Sequence, residues 1–247
     1  MSNTSLEGKA VLITGASSGL GAATARAFAA AGCSVACVDL NEQAARRVAE
    51  ELRGQGVNAL ALRCDVSNPE AVFATVAGAE EQLGGLDIVV NCAAIDHTYS
   101  VEELTVQQWD QVIGVNLRGP FLVAKAAWPA FKRQGGGHVV NIASTAGVRA
   151  WANTSPYHAS KWGLIGMSRG LGVEGRAHGI RVTTLIPGGM KTHFFDRFVD
   201  QGIPMPDEAN LQSPETVADA ILYAVRVPAE SSLQELILTP MNETSWP

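Results

Sequence analysis

Tyr157 and Lys161 stand four residues apart in the run SPYHASKWG. Positions i and i+4 share one face of a helix. A tyrosine, with a pKa near 10, is a poor base at neutral pH. A lysine charge roughly 4 Å away contributes about 4 kcal/mol at an effective dielectric near 20, enough to draw the phenol about three pH units towards neutrality. Desolvation opposes part of that pull. The pair is therefore expected to exchange a proton with a bound molecule. The same spacing also occurs on ordinary surface helices, so the chemistry needs further partners.

A second constellation lies near the N-terminus. Thr14-Gly15-Ala16-Ser17-Ser18-Gly19-Leu20-Gly21 follows an apolar run and precedes an Ala-rich stretch. A strand, a glycine turn and a helix start point backbone N–H groups and the positive helix end at an anion, as a pyrophosphate requires. Asp39 ends the next apolar run, and Leu40 follows it. A carboxylate there accepts ribose hydroxyls and repels a 2′-phosphate. Ser17 and Ser18 bring no positive charge, so NAD is expected in preference to NADP.

These residues need elements to hold them. Strands are expected at 9–14, 34–39, 57–63, 86–91, 137–143, 180–186 and 233–239. Helices are expected at 19–31, 42–54, 69–83, 105–134, 156–178 and 214–227, with Pro69 and Pro214 at helix starts. Apolar strands alternating with helices predict an α/β fold, a Rossmann-like doubly wound parallel sheet of about seven strands covered on both faces. Residues 1–247 read as a single domain, without repeat or linker. The longest irregular stretch, 190–212, exceeds ordinary connections and reads as a substrate lid.

Composition narrows the function classes. The chain has 247 residues, 47% of them apolar, and a formal charge of −6. That supplies a large core and argues against nucleic acid or an anionic membrane as partner. Neither a membrane span nor a secretory leader is recognised. Cys33, Cys37, Cys64 and Cys92 form no C-x-x-C pair and read as reduced thiols of a cytoplasmic protein. No metal site is expected, because His158 and His193 have no second ligand at ligand spacing. Gly occurs 25 times, about one residue in ten against a usual 7%.

The chain closely resembles the short-chain dehydrogenase/reductase family in its single-domain form. The resemblance rests on TGASSGLG at 14–21, Asp65-Val66, Asn91-Cys92-Ala93-Ala94, Asn116 in VNLRG, Ser144 in NIAST, Tyr157 with Lys161, and Pro187-Gly188 through Thr192. It implies hydride exchange between a nicotinamide cofactor and an alcohol or ketone. By resemblance, Tyr157 is the general acid/base, and Ser144 polarises the substrate oxygen. Lys161 binds the nicotinamide ribose, and Asn116 positions a water in a proton relay. Gly15, Ser17, Ser18, Gly19, Leu20, Gly21, Asp39, Leu40, Asp65, Val66, Asn91, Ala93, Pro187, Gly188 and Thr192 would bind the cofactor. Asp65 would meet the adenine, and Thr192 the carboxamide. Two hydroxyl donors on a carbonyl oxygen would stabilise the charge that grows there during reduction.

Some features depart from the family pattern. Alanine stands at position 94 where the family usually has glycine, adding a methyl beside the cofactor channel. Gly163, Gly166, Gly170, Gly172 and Gly175 crowd the long helix, where each costs about 1 kcal/mol relative to alanine at an exposed position. The family pattern implies a homodimer or homotetramer built through helices near 105–134 and 156–178, and small residues would let a partner approach closely. The usual C-terminal Gly-Gly is replaced by a tail ending Ser245-Trp246-Pro247, which puts the tetramer in question.

The substrate side is expected around Asp96, Ser144, Trp151, His193, Phe194 and Phe195. Its aromatic content points to a small to medium, largely apolar or cyclic secondary alcohol or ketone. Two alternatives stay open: a 3-oxoacyl thioester reductase, weakened by the absence of a basic patch for an acidic carrier, and a non-catalytic dinucleotide-binding sensor or scaffold.

Overall fold

Apolar runs with no polar alternation can be satisfied only when both faces of their sheet are covered. The computed structural model describes residues 4–243. Its strands are β1 (Ala10–Thr14), β2 (Ser34–Asp39), β3 (Ala59–Arg63), β4 (Ile88–Asn91), β5 (Gly137–Ile142), β6 (Ile180–Pro187) and β7 (Glu235–Leu238). They form one parallel sheet in the order β3-β2-β1-β4-β5-β6-β7. The helices are α1 (Gly19–Ala30), α2 (Glu42–Gly54), α3 (Pro69–Leu83), α4 (Val106–Ile113), α5 (Gly119–Arg133), α6 (Ser155–Gly175), α7 (Arg197–Asp200) and α8 (Pro214–Arg226). This is the doubly wound Rossmann-like architecture.

The two faces bury separate apolar layers. Phe28 of α1, Leu52 of α2 and Ile221 of α8 pack with Ile13 and Val35 on one side. Val76 of α3 and Phe131 of α5 pack with Leu12 and Val89 on the other. A smaller cluster joins Leu164 and Ile165 of α6 to Ile186 of β6. Each fully buried side chain of this size contributes about 1.5–3 kcal/mol relative to exposure.

The helix expected at 105–134 is not a uniform α-helix. A π-helical stretch, Gly114–Arg118, separates α4 from α5. Asn116 sits in it and is tied to Ile95: its Oδ1 accepts from Ile95 N at 2.9 Å, and its Nδ2 donates to Ile95 O at 2.8 Å. The wider turn thus accompanies an anchored side chain, a common setting for a π-bulge.

The glycines of α6 have more than one explanation. A Cβ on Gly163 would stand 2.9 Å from Leu117 Cδ2, and one on Gly175 only 2.5 Å from Ile180 O. One on Gly172 would make ordinary contact with Val182. These three answer to packing within the chain, whereas Gly166 and Gly170 face open space.

The segment 190–212 leaves the sheet after β6 and returns before α8, its ends joined by bridge pairing of Met190 with Gln212. It is less irregular than expected, holding short 3-10 turns at His193–Phe195 and Glu208–Asn210 around α7. Ser245-Trp246-Pro247 lies outside the described residues. Cys33, Cys37 and Cys64 are buried and Cys92 half-buried, all as free thiols. Among the described residues, no helix is long and apolar enough to cross a membrane.

Candidate functional site

The strand order sets β1 beside β4, while α1 and α5 cover opposite faces of the sheet. A crevice forms outside the carboxyl ends of strands at such a reversal. Here it is a cavity of about 1150 Å³, running from Asp39 and Asp65 at one end to Trp151 and Phe198 at the other.

The Asp39 end suits a dinucleotide. Gly15 has φ +68°, and a Cβ there would lie 2.8 Å from the backbone of Ala93. A Cβ on Gly21 would lie 2.0 Å from Gly15 O. Larger residues would therefore disrupt the loop itself. Helices α2, α3, α4 and α8 are capped by Asn41, Asn68, Thr105 and Ser213, but Ser18 makes no side-chain cap to α1. The first N–H groups of α1 thus lack a capping side chain and open on the cavity, lined here by Ser17, Ser18, Gly19 and Leu20. Asp39 is oriented by Ser17 N, 3.1 Å from its Oδ2, and Asn41 N, 2.9 Å from its Oδ1. Leu40 beside it is exposed, and the cationic side chains of the cavity lining are Lys161, Arg149 and Arg197. Asp65, whose Oδ1 accepts from Ser67 N and Oγ, lines the same end with Val66.

Midway, Tyr157 and Lys161 project from the first turns of α6, and both are buried. Ser144 follows β5, where its Oγ accepts from Ala146 N at 3.1 Å. It also shares a hydrogen bond with the Tyr157 phenol. Lys161 Nζ donates to Ile142 O at 2.8 Å and lies 5.4 Å from the Tyr157 ring centroid. The expected lowering of the phenol by the lysine is not what the protein alone produces. Burial pushes Tyr157 above its usual value, Asp96 adds to the rise, and Ser144 and Arg197 oppose it. The same burial draws Lys161 down to about 8. Desolvation penalises both charges, and at this depth it outweighs the influences that oppose it.

Pro187 ends β6, and Gly188 N donates to Leu238 O at 2.9 Å, so the cavity wall here is tied to β7. Thr192 Oγ1 accepts from Phe194 N at 3.3 Å. Ala93 and Ala94 line the cavity, but Asn91 does not. Strand alternation directs its side chain to Asn141 of β5, where Nδ2 donates to Oδ1 at 2.8 Å. Asn116 also stands behind the wall, with Nδ2 3.2 Å from Ser160 Oγ in addition to its Ile95 bonds. Its amide anchors the 95 loop.

At the far end, Phe194 packs on Tyr157 with ring centroids 5.5 Å apart, and Phe195 and Phe198 continue the aromatic series. Trp151 lines the cavity and meets His158 edge-on at 4.5 Å. His158 is occupied by Ala146 O and the Trp151 backbone. His193 is exposed and paired with Asp196 at 2.9 Å. The sequence reading missed Arg197, whose Nη2 reaches Asp96 Oδ2 at 2.7 Å. The one available signal was a cation inside the run Phe194-Phe195-Asp196-Arg197-Phe198.

Comparison with known proteins bears on the family and the fold. The sequence pattern of the family described as short chain dehydrogenase matches residues 9–201. A D-threitol dehydrogenase of Mycolicibacterium smegmatis is 39% identical over 182 residues, 74% of this chain and 70% of the relative. A 2,5-dichloro-2,5-cyclohexadiene-1,4-diol dehydrogenase of Sphingobium indicum is 40% identical over 187 residues, 76% of this chain and 75% of the relative. An alcohol dehydrogenase of Thermococcus sibiricus, solved with 5-hydroxy-NADP, superposes with a TM-score of 0.87 at 28% identity, covering 97% of this chain and 99% of that one. A metagenomic short-chain oxidoreductase solved with NADP gives 0.83 at 29% identity, covering 97% and 100%.

Proposed function

The chain belongs to the short-chain dehydrogenase family, and we propose that within it the protein is an NAD-dependent enzyme interconverting a secondary alcohol and a ketone. The observation that carries this reading is the placement of Ser144, Tyr157 and Lys161 against one cavity wall, with the glycine loop and Asp39 at its other end. Gly15, Ser17, Ser18, Gly19, Leu20 and Gly21 would cradle the pyrophosphate, and Asp39 would accept the adenosine ribose hydroxyls. Pro187, Gly188 and Thr192 would border the nicotinamide. The cofactor supplies the hydride acceptor and, when oxidised, a positive charge.

The side chains divide the remaining work. Ser144 and Tyr157 hold the substrate oxygen between two hydroxyls, which stabilise negative charge as it develops. Tyr157 accepts the hydroxyl proton in oxidation and returns it in reduction. Lys161, held by Ile142 O, binds the nicotinamide ribose and keeps a positive charge near the phenol. Phe194, Phe195 and Trp151 supply apolar surface for a small to medium or cyclic carbon frame. The two dehydrogenases similar in sequence, named for D-threitol and for a cyclohexadiene diol, support an alcohol of that size. NAD selectivity rests on Asp39 and Leu40, although the two structural neighbours cited carry NADP-type ligands. A cytoplasmic location fits the four free thiols.

The test is NADH formation at 340 nm with NAD or NADP against secondary alcohols, for the wild type and Tyr157→Phe. Turnover with NAD that falls at least a hundredfold in Tyr157→Phe, with NADH binding retained, supports the reading. Wild-type turnover by the variant refutes it.

A further inference from the structure

The apolar pocket beside Tyr157 has one charged corner. Asp96 follows β4 in the cavity wall and is only 7% exposed. Its Oδ2 takes Thr98 Oγ1 at 3.1 Å and Arg197 Nη2 at 2.7 Å. Its Oδ1 has no hydrogen-bond partner among the described residues and is closed to solvent as the side chains stand, so a hydroxyl reaches it when a neighbouring side chain shifts. Arg197 cannot readily turn to serve both oxygens. Its guanidinium lies 4.3 Å from the Phe194 ring centroid and 4.8 Å from that of Phe198, and Nη1 donates to Phe194 O.

A buried carboxylate oxygen without a donor is costly, and a donor placed there gains a charge-assisted bond. Asp96 and Arg197 also both act electrostatically on the Tyr157 phenol, so this corner lies within reach of the reacting oxygen's surroundings. We propose that Asp96 reads a second hydroxyl on the substrate through Oδ1, making the preferred substrate a diol or polyol. This rests on the reading of the site as an alcohol dehydrogenase. One hydroxyl meets Ser144 and Tyr157, and another donates to Asp96. The aromatic rings cover the C–H faces between them. A carboxylate oxygen accepts only, so it selects a donor at this corner. The apolar substrate read from Phe194, Phe195 and Trp151 thus becomes a carbon frame carrying at least two hydroxyls.

The full-length protein is assayed with NAD on a matched pair, cyclohexanol and cyclohexane-1,2-diol. The wild type is expected to favour the diol in kcat/KM. Asp96→Ala lowers that preference roughly 10- to 100-fold, the range for a hydrogen bond to a charged group. The isosteric Asp96→Asn, which keeps the packing, lowers it severalfold and guards against misfolding of the alanine variant. Arg197→Met loosens the lid contact but keeps Oδ1, so it moves both alcohols together. A wild type without diol preference, or an Asp96→Asn protein with an unchanged ratio, overturns the assignment of Asp96 while leaving the dehydrogenase reading intact. Absence of turnover on every alcohol with either cofactor overturns both.

Discussion

Lys161 reaches from the second turn of α6 to the carbonyl of Ile142 at the end of β5, with Nζ 2.8 Å from the oxygen. Two residues further on stands Ser144, which hydrogen-bonds Tyr157. Helix α6 and strand β5 are thereby locked together where the proposed proton transfer occurs. The bond fixes the ammonium while the surrounding burial disfavours its charge.

The pH dependence of the two reaction directions follows from this burial. Burial holds the Tyr157 phenol above its ordinary value, so the protonated form dominates through the neutral range. Reduction uses that form and is expected to vary little between pH 6 and 8. Oxidation uses the phenolate, whose fraction climbs roughly tenfold per pH unit while it remains small. kcat/KM for alcohol oxidation therefore rises with pH over the same span. Lys161, drawn down to about 8, loses its charge above that point, so the rise flattens there. Initial rates in both directions on one alcohol–ketone pair check this. Oxidation that falls as pH increases from 6 to 8 contradicts the assigned role of Tyr157.

The proposed preference for NAD rests on the other end of the cavity. Asp39 is held by Ser17 N and Asn41 N and stands beside exposed Leu40. A 2′-phosphate there meets the Asp39 carboxylate, and Arg63, in register with it on β3, does not line the cavity. Leu40→Arg is expected to raise kcat/KM with NADP about tenfold or more, because arginine offers a forked phosphate contact. Asp39→Ala removes the repulsion and a ribose acceptor together, so NAD use falls as NADP use rises. The NAD-to-NADP ratio of kcat/KM, measured for each variant, decides the matter. A ratio unmoved by both substitutions rejects Asp39 as the selector.

Much of this architecture is legible from residue order. Strand β2 and helices α2 and α3 occupy the expected spans, because their apolar runs are bounded by Asn41, Asn68-Pro69 and Gly84. The glycine loop and the Tyr157–Lys161 pair are local patterns and carry their geometry in their spacing. Other features depend on distant segments. Asp96 and Arg197 meet across 101 positions, and no periodicity links the 190–212 segment to a loop after β4. Asn91 looks like a cavity residue in sequence, yet strand alternation turns it towards Asn141. Tyr157 and Lys161 are neighbours as expected, but burial, a property of the whole fold, reverses the direction in which the phenol moves.

One face of α6 gives the remaining prediction, on assembly. Trp162, Gly166, Gly170 and Val173 fall at spacings of four, four and three, which places them on one stripe. Trp162 is 54% and Val173 62% exposed, and Cβ atoms on Gly166 and Gly170 would meet nothing within 4 Å. A stripe with two flat glycines between two apolar side chains suits close approach of a second copy. Such a partner accounts for glycines that cost about 1 kcal/mol each in an exposed helix. Gly166→Glu and Gly170→Glu are expected to leave the monomer fold intact, since each new side chain enters open space, and to break a homodimer by placing charges at its centre. Light scattering during size-exclusion chromatography, with circular dichroism as the folding control, reads the outcome. A wild-type chain that is monomeric at micromolar concentration, or variants that keep its oligomeric mass, would remove α6 from the interface and leave Gly166 and Gly170 without a packing role.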